Sequence, residues 1–453
     1  MKKSFFKLFG LLMIAVLVAS CSKTSDLLEM VPNDALAVGI IKPNELAKKA
    51  DFENADLSKL PAEKVNKIKA LFAGEWGVNT EEVVFFVTKD NLYFCFEMPD
   101  IEKFKAATEA ELTVEDGFNV LKVHRDVIVE KDGMAWAVDR TYNRDYIAEI
   151  KKFMDLDAAN SVVSLPNFTD KMVGKDIAIF MNIGAMMTLD DFRELSSFPM
   201  YDKMHDAVCY MNLEAGKKEI TLTSNIYDSA GNNLLKEFDM GKIDTDILEM
   251  IDAGSTAVYA LHLNKEYLNQ MRDILVAQSR NMMEQTQIQT IFSCIEGDIA
   301  VAGTFKNPQR FEGNDLTMIV KLKDNAQKEI QPFIDTMGFS PNAEGEYLIP
   351  WGEFMIHAAF KDDYLYVSTT GLPSKGFDDN KYASNFKDKT AAIFVDATAG
   401  SPLSSFLQTV TKGIKVDGYL QGGLDDELKI TLHLENEDSN ILAAILSAAL
   451  ESM

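Results

Sequence analysis

Apolar positions along the chain fall in short runs broken by polar turns, and their spacing predicts strands and helices in turn. Ala37-Val38-Gly39-Ile40-Ile41 is a continuous apolar run that passes straight into Lys42-Pro43-Asn44-Glu45-Leu46, a strand feeding a helix start. Glu219-Ile220-Thr221-Leu222-Thr223-Ser224-Asn225-Ile226 and Lys429-Ile430-Thr431-Leu432-His433-Leu434 alternate with period two, the pattern of strands with one wet face. Asp132-Gly133 between apolar runs is a hairpin turn signal. Pro99-Asp100 ahead of Ile101 predicts a capped helix over 101–111. Strands joined mostly by hairpins predict antiparallel sheets with packed helices, the α+β class, rather than a doubly wound parallel sheet.

The same texture recurs about 220 positions on. Ala37-Val38-Gly39-Ile40 matches Ala257-Val258-Tyr259-Ala260, offset 220. Glu82-Val83-Val84-Phe85 matches Asp298-Ile299-Ala300-Val301, offset 216, and Asn91-Leu92-Tyr93-Phe94 matches Asp315-Leu316-Thr317-Met318, offset 224. Glu130-Lys131-Asp132-Gly133 matches Phe360-Lys361-Asp362-Asp363, offset 230. Ala178-Ile179-Phe180-Met181 matches Ala392-Ile393-Phe394-Val395, offset 214, and Lys218-Glu219-Ile220-Thr221-Leu222 matches Leu428-Lys429-Ile430-Thr431-Leu432, offset 210. No pair persuades alone, but the common order predicts two similar halves from internal duplication, 35–240 and 250–453, with the boundary between Gly241 and Ile251. Either half is long enough to bury a core.

The first residues carry an address. Lys2, Lys3 and Lys7 precede an uncharged run over 8–19, too short for a bilayer span of about 20 helical residues but suited to a signal peptide. The run ends in Leu17-Val18-Ala19-Ser20-Cys21, which resembles the lipobox of bacterial lipoproteins. The resemblance implies cleavage before Cys21 and lipidation of Cys21, with residues 22–34 as a short tether. Two or three acyl chains hold a protein stably where one does not. No later apolar run is long enough to span a bilayer, so no transmembrane helix is expected. Residues 440–450 are apolar on several sides but short, and predict a packed core helix. Ser22-Lys23-Thr24-Ser25-Asp26 lacks a net acidic cluster, which favours the periplasmic face of the outer membrane over the cell surface.

Lipobox, short tether and the opening Val31-Pro32-Asn33-Asp34-Ala35 into a strand together resemble the large uncharacterised Bacteroidetes-type lipoproteins, which carry a full-length domain of unknown function. The resemblance implies envelope address and architecture. It brings no activity and no site residues.

Charge changes the picture of partners. The whole chain has 45 Lys and Arg against 70 Asp and Glu, a net of −25, and removal of residues 1–20 takes away three lysines and no acid, giving −28. So acidic a body repels nucleic acid and anionic lipid surfaces. The acyl chains must then carry the membrane contact, and an envelope protein is a candidate partner. Three cysteines remain after Cys21, namely Cys95, Cys209 and Cys294, each alone in an apolar segment. Buried free thiols are the default reading, with one disulfide as the alternative.

Candidate chemistry is sparse. The five histidines, His124, His205, His262, His357 and His433, are far apart in the chain and form no metal-ligand motif. No phosphate-binding loop or nucleophile elbow is present. Ser384-Asn385-Phe386-Lys387 has a Ser-x-x-Lys spacing that chance supplies in a chain this rich in serine and lysine. The acidic pairs Asp190-Asp191, Asp362-Asp363, Asp378-Asp379 and Asp425-Asp426 lack calcium-loop spacing and read as turns. No catalytic residue, metal or cofactor is expected. Trp76 and Trp351, each followed by glycine, are speculative ligand contacts, while Trp136 in its apolar run reads as core. The 22 methionines either fill the core or line an adaptable apolar groove.

These observations point to a lipid-anchored envelope protein, non-enzymatic, that binds a partner protein or a small apolar or peptide ligand. Its alternatives are an envelope hydrolase with dispersed carboxylates and a surface glycan or ligand binder.

Overall fold

A computed structural model describes residues 26–51, 62–123, 126–139, 145–189, 204–237, 240–252, 254–279, 281–304, 315–351, 354–372, 385–398, 401, 404–405, 417–435, 440 and 442. They form two compact units. Unit 1 holds residues up to 189, then 204–233, together with Asn440 and Leu442; unit 2 holds 234–435.

Three boundaries differ from those read in the sequence. The stretch expected to be a tether over 22–34 is folded from residue 26 onward. Asp26–Glu29 is a short helix whose Leu27 and Leu28 are buried, Val31 is buried beside them, and the Ser161 hydroxyl donates to the Leu28 carbonyl at 2.8 Å. Unit 2 begins at Leu234, before the expected boundary, because Ile243, Ile247, Leu248, Met250 and Ile251 sit in its core instead of forming a linker. The chain also returns to unit 1 at its end. Leu442 joins that unit's core, and the Asn440 side-chain amide donates to the Lys49 carbonyl at 2.8 Å.

Unit 1 is mixed helix and strand around one antiparallel sheet. Its strands are β1 Ala37–Ile41, β2 Val83–Val87, β3 Leu92–Glu97, β4 Glu111–Glu115, β5 Phe118–Val123, β6 Asp126–Lys131, β7 Met134–Asp139, β8 Ile177–Asn182, β9 Val208–Ala215 and β10 Glu219–Tyr227. They pair in the order β10-β9-β8-β1-β2-β3-β7-β6-β5-β4, antiparallel throughout. Both faces are covered. Phe94, Phe96, Leu121 and Ile128 pack on one side with Leu46, Ile68, Trp76 and Phe104; Tyr93, Cys95, Val127, Val129 and Trp136 pack on the other with Ile150, Phe153 and Phe168. Each fully buried side chain of this size contributes about 1.5–3 kcal/mol relative to exposure. The helix expected over 101–111 is Ile101–Thr108. Its Asp100 carboxylate accepts from the Lys103 N–H at 3.1 Å, and Glu109 in the left-handed region ends it, freeing Glu111 to start β4. Asp132 and Gly133 both take positive φ (54° and 84°), the geometry of a two-residue hairpin turn.

Unit 2 repeats this arrangement in its own residues. Its strands are β11 Ala257–His262, β12 Ile295–Thr304, β13 Asp315–Leu322, β14 Glu346–Trp351, β15 Phe354–Lys361, β16 Tyr364–Ser368, β17 Ala391–Asp396, β18 Gly418–Leu424 and β19 Leu428–Leu434. They pair in the order β19-β18-β17-β11-β12-β13-β16-β15-β14, again antiparallel. Read in the same direction, this is the order of unit 1 strand for strand, from β10 against β19 to β5 against β14, with β4 left without a counterpart among the described strands. The registers agree as well. In unit 1 Gly39 pairs with Phe85, Phe85 with Phe94 and Phe94 with Ala137. In unit 2 Tyr259 pairs with Val301, Val301 with Met318 and Met318 with Val367. Five of the six segment pairs read from the sequence fall on these equivalent positions. The sixth, on β10 and β19, is slipped: Ser224 and Ile430 are equivalent, an offset of 206 instead of 210.

Candidate functional site

The two units part company on one sheet face. In unit 2 the helices Lys265–Gln278, Met282–Cys294 and Ala326–Thr336 cover the row Ile299, Val320 and Leu365, where Leu268, Cys294, Ala326 and Ile330 pack. The next row along the strands, Val301, Met318 and Val367, is left open and lines a cavity of about 640 Å³. Leu316, Ile349, Ile356 and the half-exposed Met337, just past the third helix, extend its apolar wall. Thr317, Ser368 and Thr369 complete the lining.

The cause of the opening can be read from the register. In unit 1 the Phe85 ring lies across Gly39, where an added β-carbon would come within 1.9 Å of it, and packs on Phe94 at 6.0 Å between ring centroids. In unit 2 the glycine position is Tyr259. Its β-carbon takes the space that a ring at 301 would need, and the residues in register are Val301 and Met318. Two aromatic rings are thereby replaced by two smaller aliphatic chains. Of the twelve large apolar side chains that stay exposed among the described residues, Val114 alone belongs to unit 1 and the other eleven to unit 2.

The walls are pinned by polar contacts that do not enter the cavity. The Glu346 carboxylate accepts from the Leu372 N–H at 3.0 Å and lies 3.1 Å from His357 Nδ1. The Leu372 N–H first, and His357 second, hold this buried carboxyl below the usual carboxylate range. The Tyr366 hydroxyl donates to the Gly371 carbonyl at 2.7 Å, tying the same turn to β16. On β12, buried Asp298 accepts from the Asp244 N–H at 2.9 Å and lies 3.0 Å from His262 Nδ1. Asp244 in turn binds Lys321 Nζ at 2.6 Å, which lowers its carboxyl pKa.

The expected site residues are dispersed. Cys21 lies outside the described residues, as do His124, Ser384, Asp190-Asp191 and Asp378-Asp379. Trp76 is buried against Phe104, ring centroids 6.4 Å apart, and packs in the core of unit 1 rather than facing a ligand. Trp351 ends β14, the strand that gives Ile349 to the cavity, but its side chain lies outside the described residues. Trp136 is fully buried. Asp362 and Asp425-Asp426 occupy hairpin turns, the latter paired with Lys242 and Lys236. His433 stacks on Tyr419, and exposed His205 sits beside Asp206. Cys95, Cys209 and Cys294 are free and buried, with their thiols pushed up by burial. Among the described residues no three His, Cys, Asp or Glu side chains converge on a metal-sized site, and no helix is long and apolar enough to cross a membrane. The cavity residues were not singled out in the sequence. A residue-by-residue comparison of the repeated segments, Phe85 with Val301 and Phe94 with Met318, is the signal that finds them.

No family model matches the chain, and no curated protein does. Among solved structures it is similar to crystal form III of TP0453, at a TM-score of 0.30 and 11% identity over 46% of this chain and 82% of that one. Crystal form IV gives 0.30 and 12% over 45% and 81%, and crystal form I gives 0.28 and 11% over 46% and 81%. TM-scores of this size carry no argument about function.

Proposed function

We propose that the protein is a lipid-anchored binding protein of the bacterial cell envelope whose second unit takes an apolar ligand. The observation that carries this reading is the cavity of about 640 Å³, within the range of roughly 300–1,000 Å³ common for ligand sites and walled by aliphatic side chains. None of the ten described residues that line it has a carboxylate, imidazole, amine or thiol, so these residues offer binding rather than acid–base chemistry. The raised carboxyl of Glu149, which a dispersed hydrolase site would need, is held by Asn91 and Tyr93 and does not line the cavity. Anchoring by acyl chains on Cys21, at the periplasmic face of the outer membrane, rests on the lipobox-like sequence. The two units descend from one duplicated unit; equal strand order and five in-register segments support this.

The ligand reading is tested with the full chain carrying Cys21→Ser, which needs no detergent, and an environment-sensitive apolar dye. Saturable binding that Val301→Phe lowers at least tenfold is expected. Binding unchanged by that variant rules the cavity out. The anchor is tested by metabolic labelling with a tagged fatty acid, expected in the native chain and lost in Cys21→Ser.

A separate observation favours a partner protein as a second reading. The helices Lys265–Gln278 and Met282–Cys294 leave Met271, Leu275, Met282 and Met283 exposed. Exposed methionine suits an adaptable protein contact. Crosslinking from position 283 in cells is expected to capture one envelope protein reproducibly; a diffuse pattern counts against it.

A further inference from the structure

The occupant can be narrowed, on the reading that the cavity of unit 2 is a ligand site. We propose that it holds the hydrocarbon chain of an amphiphile, with the head left outside and carrying no net negative charge. Three features of the wall argue for a chain. None of the described residues that line it carries an aromatic ring to stack a planar ligand. Its flexible members, Met318 and Met337, adapt to a chain in many conformations. Its hydroxyls are already engaged: Thr317 donates to Ser368 at 3.1 Å, Ser368 also accepts from the Thr370 N–H at 3.1 Å, and Thr369 accepts from the Leu316 N–H at 3.0 Å.

The last point also places the head. A polar head drawn inside would lose its water and find neither a charge nor an uncommitted donor set to replace it, which is costly. The cavity is open enough to leave the head in solvent, since Val301 and Met318 are each 41% exposed and Met337 is 57% exposed. Outside, the field is that of an acidic body of net charge −28 once residues 1–20 are removed. An anionic head is repelled there, and a neutral or zwitterionic one is not.

The test is calorimetric titration of the full chain carrying Cys21→Ser with monoacylglycerols of increasing length, and with fatty acid anions of the same lengths, below their aggregation concentrations. Affinity is expected to rise about fourfold per added methylene until the cavity is full, and then to level off. The glycerol ester is expected to bind at least tenfold tighter than the anion of equal length at low salt, with the gap shrinking as salt screens the body. Val301→Phe is expected to bring the plateau to shorter chains. Met337→Glu, on a side chain exposed enough to tolerate the change, is expected to weaken every chain about tenfold even where Val301→Phe fails to fold. Affinity independent of chain length, with the apolar dye still bound, overturns the chain assignment and leaves the binding reading standing. Anions binding as tightly as esters overturn the head assignment. Failure of both dye and chains to bind overturns the binding reading itself.

Discussion

Two sheets of the same strand order, in the same register, end in opposite states. In unit 1 the row Gly39, Phe85, Phe94 and Ala137 is packed beneath Trp76, Phe104 and the helices around them. In unit 2 Val301, Met318 and Val367, in register beside Tyr259, line a cavity. Along this row the strand pairings agree, so the difference lies in the side chains and in what packs over them. One exchange of volume between neighbouring strands contributes directly. Where glycine leaves room, a ring on the next strand lies flat and closes the face. Where tyrosine stands, the neighbour is a valine and the face stays open. A cavity can thus arise on one of two sheets of like strand order, which is how sites are grafted on folds.

The largest test of this contrast is truncation at equivalent positions. Phe94→Ala in the closed row is expected to cost about 3–5 kcal/mol in urea unfolding. Met318→Ala in the open row is expected to cost about 1 kcal/mol or less, as for a partly exposed side chain. Equal costs would mean that the two faces are packed alike.

Next comes the pin behind the cavity wall. Glu346→Gln is expected to cost about 1.5–3 kcal/mol at pH 7, the scale of a hydrogen bond to a charged group. The Glu346 pKa is depressed in the folded state, so its contribution is full above the unfolded value of about 4.3 and is lost as pH falls through the folded pKa. Native chain and variant should therefore converge in Tm below that window and diverge above it. A constant gap down to acid pH would show that charge plays no part.

A smaller effect sharpens the volume argument. Gly39→Ala is expected to cost about 1–3 kcal/mol through overpacking against Phe85. Phe85→Val in the same chain, which rebuilds the arrangement of unit 2, is expected to relieve the clash, so that the double variant costs less than the sum of the singles. Strict additivity would break the argument. The smallest effect is kinetic. Cys95 lies on a central strand of unit 1, and Cys294 at the last position of the helix Met282–Cys294 in unit 2. Both thiols are buried and raised in pKa, so both should resist alkylation in the native state, with Cys294 labelled first through local opening. The reverse order would contradict this contrast.

Much of the scaffold was legible in the chain. Period-two runs located β10 and β19 and apolar runs located others, the Asp132-Gly133 turn and the Asp100 cap behaved as their chemistry requires, and five of the six matched segments sit in register. The ends of the elements were less legible. Helix 101–111 stops early at Glu109, because a left-handed cap leaves no trace in apolar periodicity. The return of Leu442 to unit 1 was hidden for a similar reason: an apolar run announces burial but not the partner that buries it. The cavity was the hardest to see. Val301 and Met318 lie in apolar strands that read as core, and only the comparison with Phe85 and Phe94 shows that volume is missing. Trp76 is no ligand contact, because its Trp-Gly pair belongs to a turn: Gly77 takes a φ of 71° while the ring packs inward.

The central claim is that the open face of unit 2 is the binding site, and methyl NMR of the full chain carrying Cys21→Ser, with labelled methionine methyl groups, tests it most directly. Titration with a monoacylglycerol is expected to move the signals of Met318 and Met337, which line the cavity, and to leave those of exposed Met282 and Met283 in place. Shifts confined to Met282 and Met283, or no shift at Met318 under saturating ligand, would contradict it.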